Sequence, residues 1–217
     1  MKRMFVTALS ILAASALLAG CSKMGVTGGF SPKESCVYIE ADGSAQWASV
    51  ESYEKENYTS EGLKESAGKK IGSFNSSLGK DASFENKEGS EKLPVAIVSA
   101  SMKDGKAVLV LEYDTPGRLV EFARQTGDDT VTFTALDTGR VASMSSGMQD
   151  KAFQDAKGNA MAGDEALKDN QSLVVMAEGK GVIKTENAVN YVSDGCVLMD
   201  SYTVETPEDG TAYIILK

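Results

Sequence analysis

The 217-residue sequence contains no histidine. Histidine is the general base of Ser-His-Asp and Cys-His nucleophile systems and a common zinc ligand, so its absence excludes those sites. The spacing Ser-x-x-Lys occurs at Ser52, Ser66 and Ser77, but neither a Ser-Asp-Asn nor a Lys-Thr-Gly partner follows. An active site of the penicillin-binding type is therefore not expected.

Basic residues are also scarce: 22 Lys and Arg stand against 31 Asp and Glu, which gives a formal net charge of −9. An acidic chain repels phosphates, so we expect no nucleic-acid partner. Calcium-binding Asp-rich loops and glycine-rich phosphate loops are both missing. We expect neither a metal nor a cofactor.

The first residues read as an export signal. A basic start, Met1-Lys2-Arg3, precedes an apolar run over residues 4–18. As a helix this run spans about 22 Å, less than the roughly 30 Å of a bilayer core, which favours a signal peptide over a transmembrane helix. The segment that follows resembles the lipobox of bacterial lipoproteins, and its residues are Leu18, Ala19, Gly20 and Cys21.

The lipobox predicts cleavage before Cys21 and attachment of diacylglycerol, with fatty acids such as palmitate, to its thiol. The chain then divides into a signal peptide (1–20), a lipidated cysteine with a flexible Gly/Ser-containing tether (21–34), and a single domain (35–217). Several acyl chains on one residue give stable anchoring. We expect an extracytoplasmic domain held on the cell membrane. The alternative is a secretory signal that ends beside a cysteine by coincidence.

Two cysteines remain after lipidation, Cys36 and Cys196. An even pair in an exported chain is consistent with a disulfide, which would close most of the domain into one loop. The alternative is two buried free thiols that pack as small apolar groups. A Cys-x-x-Cys redox motif is absent.

The apolar pattern predicts an α+β fold with a mostly antiparallel sheet and two short helices packed on it. Four Asp-Gly dipeptides, typical of tight hairpins, separate strand-like segments; they begin at Asp42, Asp104, Asp194 and Asp209. Helical periodicity covers residues 60–78, where Leu63, Ala67, Ile71 and Phe74 form one apolar stripe, and residues 115–125. Pro116 suits the first position of the second helix, and Gly127 predicts its end. Residues 131–135 and 140–144 read as a strand pair, and residues 147–170 as a long surface loop with a helical piece.

Three aromatic residues stand close together in the sequence: Trp47, Tyr53 and Tyr58. Aromatic faces can stack on sugars or contact peptides, so these rings are candidate ligand contacts, although packing in the core is the more common role. An acidic run from Glu51 to Glu65 is consistent either with paired catalytic carboxylates or with a solvated strand edge and helix start.

Residues 37–44, Val-Tyr-Ile-Glu-Ala-Asp-Gly-Ser, followed by Val50-Glu51-Ser52-Tyr53, resemble a pattern in uncharacterised lipoproteins of clostridial-type Gram-positive bacteria. The helix with Phe74-Asn75 and the segment 212–215 are also similar to that group. The resemblance implies an anchored extracytoplasmic α+β domain without an established activity. It transfers no catalytic residue.

These observations favour a monomeric, non-enzymatic lipoprotein that serves binding, adhesion or envelope assembly, with a carbohydrate, a peptide or a protein as its ligand. One alternative is a small cell-envelope hydrolase that uses carboxylates. Another is the solute-binding component of a transporter.

Overall fold

A computed structural model describes residues 30–54 and 58–217. The predicted signal peptide, the lipobox from Leu18 to Cys21 and the tether up to residue 29 lie outside the described residues. Ser31–Lys217 forms one compact unit. Within the described part, no helix is both long and apolar enough to cross a membrane.

The described residues form thirteen strands: β1 (Cys36–Ile39), β2 (Ala45–Ser52), β3 (Val95–Lys103), β4 (Lys106–Tyr113), β5 (Ala135–Arg140), β6 (Phe153–Asp155), β7 (Ala160–Met161), β8 (Leu173–Glu178), β9 (Val182–Thr185), β10 (Val189–Ser193), β11 (Val197–Asp200), β12 (Thr203–Glu205) and β13 (Thr211–Leu216). The α-helices are α1 (Ser60–Ser77), α2 (Pro116–Thr126), α3 (Val141–Met144) and α4 (Gly163–Ala166), with a 3-10 turn at Ser145–Gly147.

The strands form two sheets, so the predicted α+β class is confirmed but the single sheet is wrong. Sheet A has seven strands in the order β11-β12-β9-β1-β2-β4-β3, and sheet B has six in the order β5-β8-β13-β10-β6-β7. Among the described strands, β1 and β9 pair in parallel, with Val37 opposite Ile183, and the other pairs are antiparallel.

Two of the four Asp-Gly dipeptides lie between strands that pair with each other. Asp104 and Gly105 are the two-residue loop between β3 and β4, and both have positive φ (+52° and +74°), as a type I′ turn requires. Asp42-Gly43 lies between the paired strands β1 and β2. The dipeptides at Asp194 and Asp209 instead connect sheet B with sheet A, because a local turn signal does not specify the partner of the next strand.

Both sheets contribute to one core, which also takes in side chains from α1 and α2. Sheet B is apolar on its other face as well: Val174, Tyr213 and Ile215 pack there against Met148 and Phe153. The segment 147–170 contains β6 and β7 of sheet B and the short helix α4, and its residues Met148 and Phe153 are buried. The predicted helical piece is therefore present, whereas the prediction of a surface loop for the rest is wrong. Because the segment is rich in polar residues, its hydrophobic pattern did not indicate that Met148 and Phe153 are buried.

The two predicted helices are present, with the terminal residues that the sequence indicates. α1 follows Thr59, whose hydroxyl accepts a hydrogen bond from the Gly62 N–H at 3.0 Å. α2 starts at Pro116, where the missing N–H costs nothing, and ends at Gly127 with φ +67°. The predicted pairing of residues 131–135 with 140–144 is wrong: residues 135–140 form β5, which pairs with β8, and α3 follows directly.

Cys36 and Cys196 are both free and buried, so the structure contains the pair of thiols and not the disulfide. The two thiols have different surroundings. Cys36 lies in β1 within the electrostatic reach of Lys184, whereas Cys196 follows the Asp194-Gly195 turn and lies 3.8 Å from the Ser193 hydroxyl.

Candidate functional site

A groove of about 400 Å³ lies on sheet A where α1 and the end of α2 leave part of the sheet face uncovered. Its floor consists of three directly opposed residue pairs of β2 and β4: Trp47 with Leu111, Ser49 with Leu109, and Glu51 with Ala107. Side chains two residues apart on a strand share a face, which is why this alternating set lines one surface. The floor changes along β2 from buried Trp47 to exposed Glu51.

One wall of the groove is a face of α1. The residues that contribute to it recur at helical spacing, and they are Leu63, Ser66, Ala67, Lys70 and Ile71. Ile71 is fully buried while Ser66 and Lys70 are exposed. The wall is therefore apolar next to the floor and polar at the rim.

The opposite wall comes from Phe122 and Thr126 near the end of α2 and from the loop that follows, residues 127–130. Asp128 holds this loop in shape, because its carboxylate accepts hydrogen bonds from the Thr130 N–H at 3.0 Å and the Thr130 hydroxyl at 2.6 Å. The neighbouring Asp129 is exposed.

The base of α2 beside the groove is held by aromatic packing. Phe122 contacts Phe74 of α1 edge-to-face, with ring centroids 5.1 Å apart, and lies 6.4 Å from the ring of Tyr113. Complete burial raises the pKa of Tyr113, and the negative charge of Asp128 raises it further. Tyr113 therefore remains a neutral phenol beneath this wall.

The chemistry of the lining is amphipathic. The volume of the groove falls within the range of roughly 300–1,000 Å³ that is usual for small-ligand sites. Such sites combine apolar walls with a few polar groups. The charged side chains are the carboxylates of Glu51, Asp128 and Asp129 and the amine of Lys70. The lining is therefore net acidic. Within the described part of the chain, no cluster of three or more potential metal ligands occurs.

Trp47 lies at the deep end of the groove and is 4% exposed. Its indole Nε1 is buried and has no hydrogen-bond partner among the described residues. A buried donor without a partner costs roughly 1–3 kcal/mol. Trp47 is thus both a packed core residue, which was the favoured prediction, and part of the groove surface.

The other two candidate aromatics form a pair of their own. Tyr53 and Tyr58 pack edge-to-face with ring centroids 6.4 Å apart, and Tyr58 is 50% exposed. Tyr53 follows the last residue of β2, and Tyr58 precedes α1. Neither tyrosine lines the groove, so of the three candidate aromatics only Trp47 does.

The second wall was not predicted from the sequence. Asp128, Asp129 and Thr130 follow the glycine that ends α2, and a polar loop after a helix is common. The groove also needs α1 and α2 to lie side by side on sheet A, which no local pattern encodes. The available signal was the acidic pair Asp128-Asp129 directly after a predicted helix end.

No protein-family model, curated protein or solved structure matches this chain. The function is therefore argued from the residues of the groove.

Proposed function

We propose that this protein is a membrane-anchored extracytoplasmic binding module whose ligand occupies the groove on sheet A. The observation that carries the proposal is the lining: an apolar floor at Trp47, Leu109 and Leu111, between rims that bear hydroxyl groups, carboxylates and one amine. Such a surface gains free energy by burying an apolar group and orients it through the polar rim.

The ligand class that fits best is a short peptide with an apolar side chain next to a basic one. The apolar group would cover Leu109 and approach Trp47, while the carboxylates of Glu51 and Asp129 would attract the cation. Opposite charges favour recognition most where water is partly excluded, as beside this floor.

The first experiment uses Trp47, which is the single tryptophan of the sequence and lies in the groove floor. The domain from residue 31 onward is titrated with a capped tripeptide that has phenylalanine between two lysines. We expect a saturable change in tryptophan fluorescence and a rise in Tm, since a ligand at about 100 times its Kd stabilises the native state by about 2.7 kcal/mol.

Two matched variants test whether the groove is the site. Ala107→Tyr fills the open end of the floor, and binding should weaken at least tenfold. Ser101→Tyr places the same side chain on the opposite face of sheet A, since Ser101 stands opposite Val108, and binding should not change. If Ala107→Tyr binds the tripeptide as tightly as the parent, or if no peptide or saccharide in a panel gives saturation, the groove proposal is wrong.

Carbohydrate is the second candidate ligand, and the half-exposed ring of Tyr58 favours it. Exposed aromatic faces can stack on sugar rings. Titration with short saccharides in the same assay distinguishes the two classes: Tyr58→Ala should weaken a saccharide and leave the tripeptide unaffected. Free amino acids and sugars in the panel also test a role as a transporter's solute-binding component.

A carboxylate hydrolase is the candidate from another functional class. Glu51 on the floor and Asp129 on the far wall both line the groove, and such chemistry uses a pair of carboxylates. If the domain cleaves a peptide or a glycan and Glu51→Gln abolishes the cleavage, the protein is an enzyme. Binding without turnover supports the proposed module.

The anchoring part of the proposal rests on the lipobox and on Cys21. In cells, Cys21→Ala should move the protein from the membrane fraction to the soluble fraction, because the thiol that receives the lipid is gone. A Cys21→Ala protein that stays with the membrane would rule out the lipid anchor.

A further inference from the structure

The largest exposed apolar side chains concentrate on the hairpin of β11 and β12. Val197 is 58% exposed, Met199 54% and Tyr202 50%. In the described part of the chain, only two other large apolar residues are comparably exposed, Tyr58 and Leu78, at the two ends of α1. Single exposed apolar residues are ordinary, whereas a contiguous set marks an interaction surface.

The hairpin itself is firmly placed. Leu198 packs against the core, opposite Val204, which is fully buried. Val197 and Met199 flank Leu198 and are both exposed, and Met199 lies where the register with β12 shifts. The turn to β12 is ordered by the Asp200 carboxylate, which accepts a hydrogen bond from the Tyr202 N–H at 2.7 Å. The exposed residues Val197, Met199 and Tyr202 are therefore held on an ordered hairpin.

β11 is also an edge strand. It pairs with β12 on one side, and in the described residues no strand pairs with its other side. An edge strand leaves backbone N–H and C=O groups open to a further strand, and proteins commonly protect such edges with lysine, proline, a β-bulge or a very short strand. The four-residue sequence of β11, Val-Leu-Met-Asp, contains neither lysine nor proline, and its register with β12 shifts between Leu198 and Asp200. The open part of the edge is therefore short and centred on Val197 and Leu198.

The charges around this edge are acidic. Asp194 precedes β11 and Asp200 ends it, and both are exposed. The nearby lysines are already neutralised: Lys180 pairs with Glu205 at 3.0 Å, and Lys184 with Glu34 at 3.2 Å. A second copy of this chain, with its formal charge of −9, would bring like charges together at this edge.

We propose that β11 is a docking edge for an extended, basic segment of another protein. The segment adds a short strand beside β11, places apolar side chains on Val197 and Met199, and sets lysine or arginine near Asp194 and Asp200. Backbone hydrogen bonds supply affinity in such strand addition, and the alternate side chains supply specificity. The edge lies three strands beyond β1 in sheet A, away from the groove on β2 and β4.

The test uses a fluorescent ten-residue peptide with alternating valine and threonine and a lysine at each end. Fluorescence anisotropy should give saturable binding to the domain. The double variant Val197→Thr and Met199→Thr keeps the charge and the strand propensity while removing apolar contact, and should weaken binding at least fivefold. Hydrogen exchange should slow at the β11 amides when the peptide binds.

Three controls separate strand addition from general attraction to an acidic protein. A peptide of the same composition with its valines grouped together, and one with a central proline, should both bind at least fivefold more weakly. Ala107→Tyr, in the groove, should leave binding unchanged, so this result is independent of the proposed function. Equal binding by the double variant, no saturation, or a concentration-dependent dimer that the double variant abolishes would overturn the proposal.

Discussion

At the scale of single residues, Asn75 is a fully buried polar side chain that joins α1 to sheet A. Its amide group donates hydrogen bonds to the carbonyl oxygens of Ser83 and Val95, each at 2.9 Å, and its Oδ1 accepts one from the Val95 N–H at 3.1 Å. Both backbone polar groups of Val95, the first residue of β3, thus depend on one side chain. A buried polar group is tolerated when it is satisfied in this way.

We predict that Asn75→Ala lowers the free energy of unfolding by on the order of 3 kcal/mol, because it leaves buried backbone groups without partners. Urea unfolding followed by Trp47 fluorescence measures the change. Ser76→Ala, at the exposed next position of α1, is the control and should stay within about 0.5 kcal/mol of the parent. Similar stabilities for Asn75→Ala and Ser76→Ala would contradict this role.

The residue scale is also where the sequence was least informative. Asn75 sits in a helical pattern, and nothing local tells that its side chain reaches the segment around Ser83. The same holds for Cys36 and Cys196, since their spacing allowed a disulfide or two thiols equally. Such outcomes depend on distances between segments that are remote in the sequence.

At the scale of elements, two of the three glycines in α1, Gly68 and Gly72, lie inside the helix although glycine has a low helix propensity. A Cβ atom at Gly72 would lie 2.4 Å from the Ala82 carbonyl oxygen, and one at Gly68 would lie 2.8 Å from the ring of Phe84. The chain after α1 turns back and crosses the helix at these two positions. The glycines therefore permit close approach, which offsets their cost to the helix.

Gly72→Ala should for this reason destabilise the domain by about 1–3 kcal/mol, although alanine is favoured in helices by about 1 kcal/mol over glycine. Ser73→Ala, one residue further along and exposed, should be neutral or slightly stabilising. Both are measured by thermal and urea unfolding. A more stable Gly72→Ala protein would show that residues 82–84 do not constrain the helix.

The elements are also what the sequence predicted best. The spacing of Leu63, Ala67, Ile71 and Phe74 specified α1, and Pro116 and Gly127 specified the ends of α2, because these signals act within a few residues. The pairing of strands was harder to predict from the sequence. Tight turns at Asp194 and Asp209 look like the turn at Asp104, yet they lead from one sheet to the other.

At the scale of the whole molecule, the lack of histidine leaves no side chain with an ordinary pKa near neutrality, and the buried ionisable groups titrate at high pH. Burial raises the pKa of the Cys36 thiol from 9.0 to about 11 and also raises the pKa of Cys196, Tyr38 and Tyr113. The native state thus keeps protons that the unfolded chain releases. The stability tied to these groups is complete below about pH 9 and is lost as the pH rises toward 11.

The free energy of unfolding should accordingly be nearly constant between pH 6 and 8 and fall between pH 9 and 10.5. Urea midpoints across this range test the prediction. Cys36→Ala should reduce the slope above pH 9, because a single group contributes at most about 1.36 kcal/mol per pH unit. Identical slopes in the parent and in Cys36→Ala would exclude Cys36 as a source of the loss.

The groove depends on contacts between segments that are remote in the sequence, so the sequence predicts only part of its lining. Its floor follows from β2, where Trp47 and Glu51 share a face, and from the adjacent hairpin strand β4. Its second wall exists because α2 ends beside α1 on sheet A. Helix packing of this kind depends on the whole core and not on any one segment.

The parallel pairing of β1 with β9 also determines the order in which the chain can fold. β2 follows β1 closely in the sequence, and hairpins of this kind form on a microsecond timescale. The other side of β1 pairs only when β9 is present, since Val37 lies opposite Ile183. During synthesis, sheet A stays open until most of the domain has been made. Such long-range pairing forms slowly, because the entropy of closing a long loop must be overcome before the contacts stabilise the sheet.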